Sequence, residues 1–262
     1  MNYPIYVISL KRDEERRLNL QKQFGRYDEF KIIDAVDAKN FSASEYYKAM
    51  IDCLLKSCDE KYKFKIPPLV ATPGELACTM SHIKAYKDFL QSGAEFTLIL
   101  EDDVIGDDSL IKKAFLLCQD ISNDSILICG VQDGLSSRFR AFGKKIKPDL
   151  YLVSPYSYAS IYRTAAYILT KTSAKALLEF YKDGLYGADK WEAILRNTEL
   201  KMYFSDIFSH PDELGNSGLE EQRKQKEKIK SLFKKYSKNN LSYKISRSYE
   251  KHLAKNEKIF TK

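Results

Sequence analysis

The chain has 262 residues, 44% hydrophobic and 30% charged, with a net charge of +7. That length buries a sizeable core in one large or two small domains, and the composition is that of an ordinary globular protein. No run approaches the roughly 20 apolar residues that span a bilayer, and Met1-Asn2-Tyr3-Pro4 lacks the basic-then-apolar start of a secretory leader. Five cysteines (53, 58, 78, 118, 129) fit neither a disulfide framework nor a zinc spacing, so reduced, mostly buried thiols in a cytoplasmic protein are expected.

The charge is unevenly spread. Residues 220–262 hold 14 Lys/Arg and 5 Glu, a balance of +9, which leaves −2 for residues 1–219. A basic tail on a near-neutral body points to a polyanionic partner, either nucleic acid or an anionic membrane face. Ile229, Leu232, Phe233 and Tyr236 interleave its charges at helical spacing, which favours an amphipathic helix on a membrane surface.

In chain order, Tyr3–Ser9 reads as a strand, Asp13–Phe24 as a helix stopped by Gly25, and Asp28–Val36 as a second strand ending in Asp34-Ala35-Val36-Asp37. Strand, helix, strand opens a parallel α/β sheet. Ser42–Ser57 carries apolar residues at helical spacing, and Cys58–Val70, with Pro67-Pro68, reads as a loop or lid. Thr72 and Glu75 form a capping box with Pro73 at the first helical position, so a helix runs from there to Gln91 and stops at Ser92-Gly93. Its Glu75, Cys78 and His82 fall on one stripe. Phe96–Leu100 is a short buried strand, Ile111–Cys118 a helix and Ser125–Cys129 another strand. A long basic loop covers Val131–Pro148. Short strands at Leu150–Val153 and Tyr167–Thr170, helices at Ser173–Tyr181 and Trp191–Arg196, and a strand at Lys201–Phe208 complete the body, with pieces of helix expected beyond Glu220.

Glu101-Asp102-Asp103 follows the Phe96–Leu100 strand directly. Three carboxylates at the end of a buried strand repel and resist desolvation unless something neutralises them. Hard cations such as Mg²⁺ or Mn²⁺ take oxygen ligands and leave positions open for phosphates, so a metal holding a nucleotide diphosphate is one reading. A solvated acidic turn with Asp as a helix cap is the other.

The matching blocks are Ile8-Ser9-Leu10 with Arg12 and Arg16-Arg17, Asp34-Ala35-Val36-Asp37, Pro73-Gly74-Glu75-Leu76-Ala77-Cys78 with Ser81-His82, and Leu98-Ile99-Leu100-Glu101-Asp102-Asp103-Val104. Thr164-Ala165-Ala166-Tyr167 and Ala188-Asp189-Lys190-Trp191 match more weakly. With these blocks the chain resembles glycosyltransferase family 25, the bacterial lipooligosaccharide-biosynthesis transferases, over roughly residues 3 to 215. The resemblance implies a GT-A-like fold: a Rossmann-type, mostly parallel sheet flanked by helices, spanning residues 1–219. Residues 220–262 would form a basic helical tail. It also implies a nucleotide-sugar donor, a metal on the acidic motif, inversion at the anomeric carbon and galactose as the transferred hexose.

On that reading Asp103 leads the metal ligands, with Glu101 and His210 beside it, and the cation is Mn²⁺ or Mg²⁺. Ser9, Leu10, Arg12, Asp37, Glu75, Ser81, His82 and Asp102 surround the donor, because open α/β sheets bind nucleotides at strand ends. Arg16 or Arg17 reaches a phosphate, with surface helical roles as the alternative. Glu75 is equally a capping residue and Ser81-His82 equally structural, while for His210 a simple loop histidine is the favoured alternative. Asp189 is the general base that direct attack by an acceptor hydroxyl requires, or else a helix N-cap. Glu192 is the reserve base, Asp133 a weaker acceptor contact, and Trp191 a platform for an acceptor sugar. Asn216-Ser217 closes over the donor. The expected partners are a UDP-sugar, a lipooligosaccharide or other glycan acceptor, and the anionic inner face of the cytoplasmic membrane, touched by the tail, with no nucleic acid. The rival readings are a sugar nucleotidyltransferase and a nucleic-acid-binding protein acting through the tail.

Overall fold

The computed structural model describes residues 3–64, 66, 71–211 and 256–260. Among these, one nine-stranded sheet runs β2-β1-β3-β7-β4-β8-β6-β5-β9. Its centre is built from β1 (Ile5–Ser9), β3 (Phe96–Glu101), β4 (Ser125–Gly130) and β7 (Ala166–Thr170). β1 is parallel to β3 and to β2 (Lys31–Asp34), and β4 is parallel to β8 (Lys201–Phe208). β7 lies antiparallel between β3 and β4. A mostly parallel sheet must be covered on both faces, and these strands are continuous runs of β-branched and aliphatic residues for that reason. Alternate side chains feed two cores. Tyr6, Ile8, Ile99, Ile128 and Tyr167 pack under α2 (Ala43–Cys58), α3 (Pro73–Ser92), α5 (Lys171–Lys182) and α6 (Trp191–Thr198). Val7, Leu98, Leu100, Leu127 and Ile168 pack under α1 (Glu14–Gln23) and α4 (Asp108–Leu116).

The helix starts follow their chemistry. Thr72–Glu75 and Ser42–Glu45 both form complete capping boxes, and α3 ends on Gly93 in the left-handed conformation.

Three expectations are corrected. The second strand is only Lys31–Asp34, because Tyr27–Glu29 coils into a 3₁₀ turn. The basic loop 131–148 contains β5 (Phe142–Lys147), which pairs with β6 (Leu150–Val153) across a turn at Asp149, φ 65°. Its lysines face solvent, so no apolar alternation marks it. The end of the expected tail is not helical: Glu257–Lys258 forms β9 on the open edge of β5, and Phe260 packs on Phe204 with ring centroids 4.9 Å apart. The remainder of the tail, residues 220–255 and 261–262, lies outside the described residues, as do Pro67-Pro68 of the expected lid and Asn216-Ser217.

Candidate active site

The carboxyl ends of β1 and β3 open into a cleft of about 640 Å³. Its lining includes Ser9, Leu10, Arg12, Arg16, Asp37, Glu75, Ser81, Glu101, Asp102, Asp103, Asp189 and His210, all named from sequence. His82 lies one layer behind, fully buried, and Glu192 stands outside the lining on α6 with Oε1 3.6 Å from Nε of Arg196.

Backbone contacts bring His210 to the acids from 107 positions away. Ile105 and Ser209 exchange both backbone hydrogen bonds, at 2.9 and 3.1 Å, clamping the segment after β3 to the segment after β8. Gly130, φ 94°, lets the end of β8 lie this close, since a Cβ there would sit 2.3 Å from the Phe208 carbonyl oxygen. The next residue, Val131, is held at φ 56°, a strained conformation for a β-branched side chain, while its N–H donates to Phe208 O at 2.8 Å. Asp133, two positions on, accepts the His210 backbone N–H at 2.9 Å. Asp133 therefore holds His210 in place and does not line the cleft.

Nε2 of His210 lies 3.5 Å from Oδ2 of Asp103. Nδ1 of the same ring faces the Pro211 carbonyl oxygen at 2.9 Å, so that nitrogen is a donor. Burial would lower the histidine's pKa, but the carboxylate opposite outweighs it and the net shift is upward. For Asp103 burial is likewise the largest influence and would raise its pKa. The hydrogen bond and charge of His210, with the charge of Arg16, hold it below the ordinary carboxylate range instead. Among the described residues, Oδ1 of Asp103 is buried with no hydrogen-bond partner.

Arg16 supplies one positive charge to two of the three adjacent acids, Asp102 and Asp103. Its Nη1 donates to Oδ1 of Asp102 at 2.8 Å and lies 3.4 Å from Oδ2 of Asp103. Asp102 is 8% exposed, and burial raises its pKa despite that partner. Arg17 turns the other way: it donates to Ser9 Oγ and Ser9 O, both at 3.0 Å, and to Asp34 Oδ1 at 3.1 Å. Arg12 pairs with Asp37, which also caps the 3₁₀ turn Ala38–Asn40.

Glu101 ends a buried chain of hydrogen bonds. Its Oε1 accepts from Thr164 Oγ1 at 2.5 Å and lies 3.1 Å from His82 Nε2. His82 Nδ1 is 2.7 Å from the Tyr167 hydroxyl, which donates to Tyr86 at 3.0 Å. Ser81 is a tie: its Oγ donates to Ala77 O at 2.7 Å and accepts the Val36 N–H at 2.8 Å, fixing the loop that carries Asp37. Glu75 serves the α3 capping box while also lining the cleft.

Asp189 does not cap α6. Lys190 occupies the cap position, and its Nζ donates to Asp189 Oδ1 at 2.6 Å. Trp191 is no sugar platform, being 1% exposed with its ring edge-on to Tyr167 and its Nε1 donating to Arg163 O at 3.2 Å. The strongly amphipathic α6 turns that face inward. Arg163 is a cleft residue that sequence reading missed. It sits at φ 65°, lines the wall, and its Nη1 donates to Val131 O and Asp133 O at 2.8 and 2.9 Å. Its one sequence signal is its place directly before the Thr164-Ala165-Ala166-Tyr167 block.

The sequence profile of glycosyltransferase family 25 (LPS biosynthesis protein) matches residues 2–191. The chain belongs to that family. Mouse procollagen galactosyltransferase 2 is 32% identical over 118 residues, covering 45% of this chain and 18% of its own. A Haemophilus influenzae Rd protein, provisionally designated a glycosyltransferase, is 26% identical over 233 residues, 83% of this chain and 76% of its own. Mouse inactive glycosyltransferase 25 family member 3 is 27% identical over 180 residues, 66% of this chain and 28% of its own. The chain thus spans less than a fifth of the galactosyltransferase it matches. Family 25 includes a member named inactive, so membership alone does not supply catalysis and the side chains of the cleft must carry it.

Proposed function

We propose that this chain is an inverting, metal-assisted glycosyltransferase that moves a hexose, galactose foremost, from a UDP-sugar to a lipooligosaccharide or related glycan. The observation that supports it most is the pairing of Asp103 with His210 in the cleft at the ends of β1 and β3, with the second carboxylate oxygen of Asp103 buried and, among the described residues, unpartnered. A buried charged oxygen without a partner is costly, and a cation relieves that cost. Carboxylate and imidazole suit Mn²⁺ or Mg²⁺, the imidazole favouring Mn²⁺. When bound, the ion supplies Lewis-acid stabilisation of the charge on the departing diphosphate.

The chain's own groups do the rest. Ser9, Leu10 and the Arg12–Asp37 pair form the wall where a nucleoside fits. Arg16 holds Asp102 and Asp103 in register. Asp189 takes the proton from the acceptor hydroxyl as its oxygen attacks the anomeric carbon. The bond to the diphosphate oxygen breaks on the opposite face, the configuration inverts, UDP departs, and the proton remains on Asp189. Preorganised charge at the leaving group lowers the barrier because that charge grows only as the bond breaks.

Galactose draws on the names of the procollagen galactosyltransferases, and the acceptor class on the family description. The basic residues of 220–262 fit the anionic cytoplasmic face of a membrane, where a lipid-linked acceptor resides. The protein would then be cytoplasmic and peripheral to the inner membrane. A panel of UDP-sugars with Mn²⁺ tests this reading: free UDP should appear fastest from UDP-galactose. Pyrophosphate as the product, or no turnover of any UDP-sugar, contradicts it.

A further inference from the structure

A second group of ligating atoms lies beside the acids. Cys78 Sγ, a ring nitrogen of His82 and a carboxylate oxygen of Glu101 all fall within 4.8 Å of one another. Cys78 and His82 are four residues apart on α3, so both side chains leave one face of the helix. Glu101 meets them from the end of β3.

The hydrogen bonds around His82 fix which nitrogen faces the group. Tyr167 gives its single hydroxyl proton to Tyr86, so toward His82 it accepts, and Nδ1 is the donor. In the neutral ring this leaves the Nε2 lone pair pointing at Glu101 Oε1, 3.1 Å away. A lone pair against a carboxylate oxygen is repulsive unless a proton or a metal cation lies between them. An imidazole oriented by a hydrogen bond from its other nitrogen is also the usual arrangement of a metal-ligating histidine.

From this geometry we infer that Cys78, His82 and Glu101 form a site for a thiophilic divalent cation, zinc foremost, separate from the Asp103–His210 pair. Nitrogen and oxygen ligands about 2.1 Å from a tetrahedral zinc lie about 3.4 Å apart, so the observed 3.1 Å needs only a small outward shift. The thiolate selects against Mg²⁺ and Mn²⁺, which prefer all-oxygen or oxygen–imidazole surroundings. Cys78 and Glu101 both line the cleft, so the ion enters from there. Three protein ligands leave a fourth position for water or a substrate group.

Cobalt(II), a spectroscopic stand-in for zinc, tests the site on the intact chain. One cobalt per chain should produce sulfur-to-cobalt charge-transfer absorption, and zinc should displace it. Cys78→Ser should abolish the band and Glu101→Gln should weaken binding at least tenfold. Cys58→Ser, at an exposed thiol, and Asp103→Asn should leave it intact. A second readout needs no variant: zinc should slow alkylation of Cys78, followed by peptide mass spectrometry, at least tenfold. No sulfur–cobalt band, a band that survives Cys78→Ser, or undiminished alkylation overturns the inference. None of these measurements involves sugar transfer, so their failure leaves the Asp103–His210 reading standing, and the reverse.

Discussion

Ser81 Oγ accepts the backbone N–H of Val36 at 2.8 Å, joining the middle of α3 to the loop that follows β2. The contact crosses 45 residues and is part-buried, with Ser81 itself 1% exposed and Val36 on the cleft wall. Ser81→Ala should therefore cost about 0.5–1.5 kcal/mol of stability, the net contribution of one intramolecular hydrogen bond. The Asp37 loop loosens with it, so KM for the UDP-sugar should rise more than kcat falls. Chemical denaturation and initial rates check both.

Asp189→Asn keeps the shape of the wall and removes the proton acceptor. Loss of a general base usually costs about 10²- to 10⁴-fold in rate. kcat should fall in that range, with stability and UDP affinity nearly unchanged. A variant that retains full kcat would exclude Asp189 as the base.

Trp191→Ala separates core from binding roles. The side chain is buried against Tyr167 and donates to Arg163, so truncation should cost about 3–5 kcal/mol. A large fall in Tm is expected. An unchanged Tm with weakened acceptor binding would restore the sugar-platform role.

Lys56 gives a pH signature. It is 2% exposed, with Nζ donating to Gly184 O at 3.1 Å and to Phe180 O, and burial lowers its pKa from 10.5 to about 8. Below pH 8 both folded and unfolded chains hold the proton. Between pH 8 and 10.5 the unfolded chain binds more of it, so stability from this group rises with pH across that window and is absent below it. Relative to Lys56→Met, the wild type should gain about 3 kcal/mol between pH 8 and 10.5. Urea unfolding of both proteins across that range checks the sign.

What the sequence disclosed follows physical lines. Ile5–Ser9, Phe96–Glu101 and Ser125–Gly130 are legible as strands because burial on both faces demands unbroken apolar runs. The α3 start is legible because Thr72 and Glu75 satisfy local N–H groups. β5 and β9 are not, since their pairing comes from a neighbouring edge and their lysines carry no pattern. The antiparallel place of β7 is likewise set by packing. Within the cleft, Glu101–Asp103 stand out as consecutive acids, but the partner of Asp102 and Asp103, Arg16, is chosen by the approach of α1. Nothing local announces that the Ile105–Ser209 bridge delivers His210, or that Arg163 turns into the wall at a positive φ.

The most direct test of the central claim is Mn²⁺ affinity in the presence of UDP, measured by electron paramagnetic resonance on wild type, Asp103→Asn and His210→Ala. The account predicts that Asp103→Asn loses at least tenfold in affinity and that His210→Ala is weakened in the same direction. Wild-type Mn²⁺ binding in both variants would contradict it.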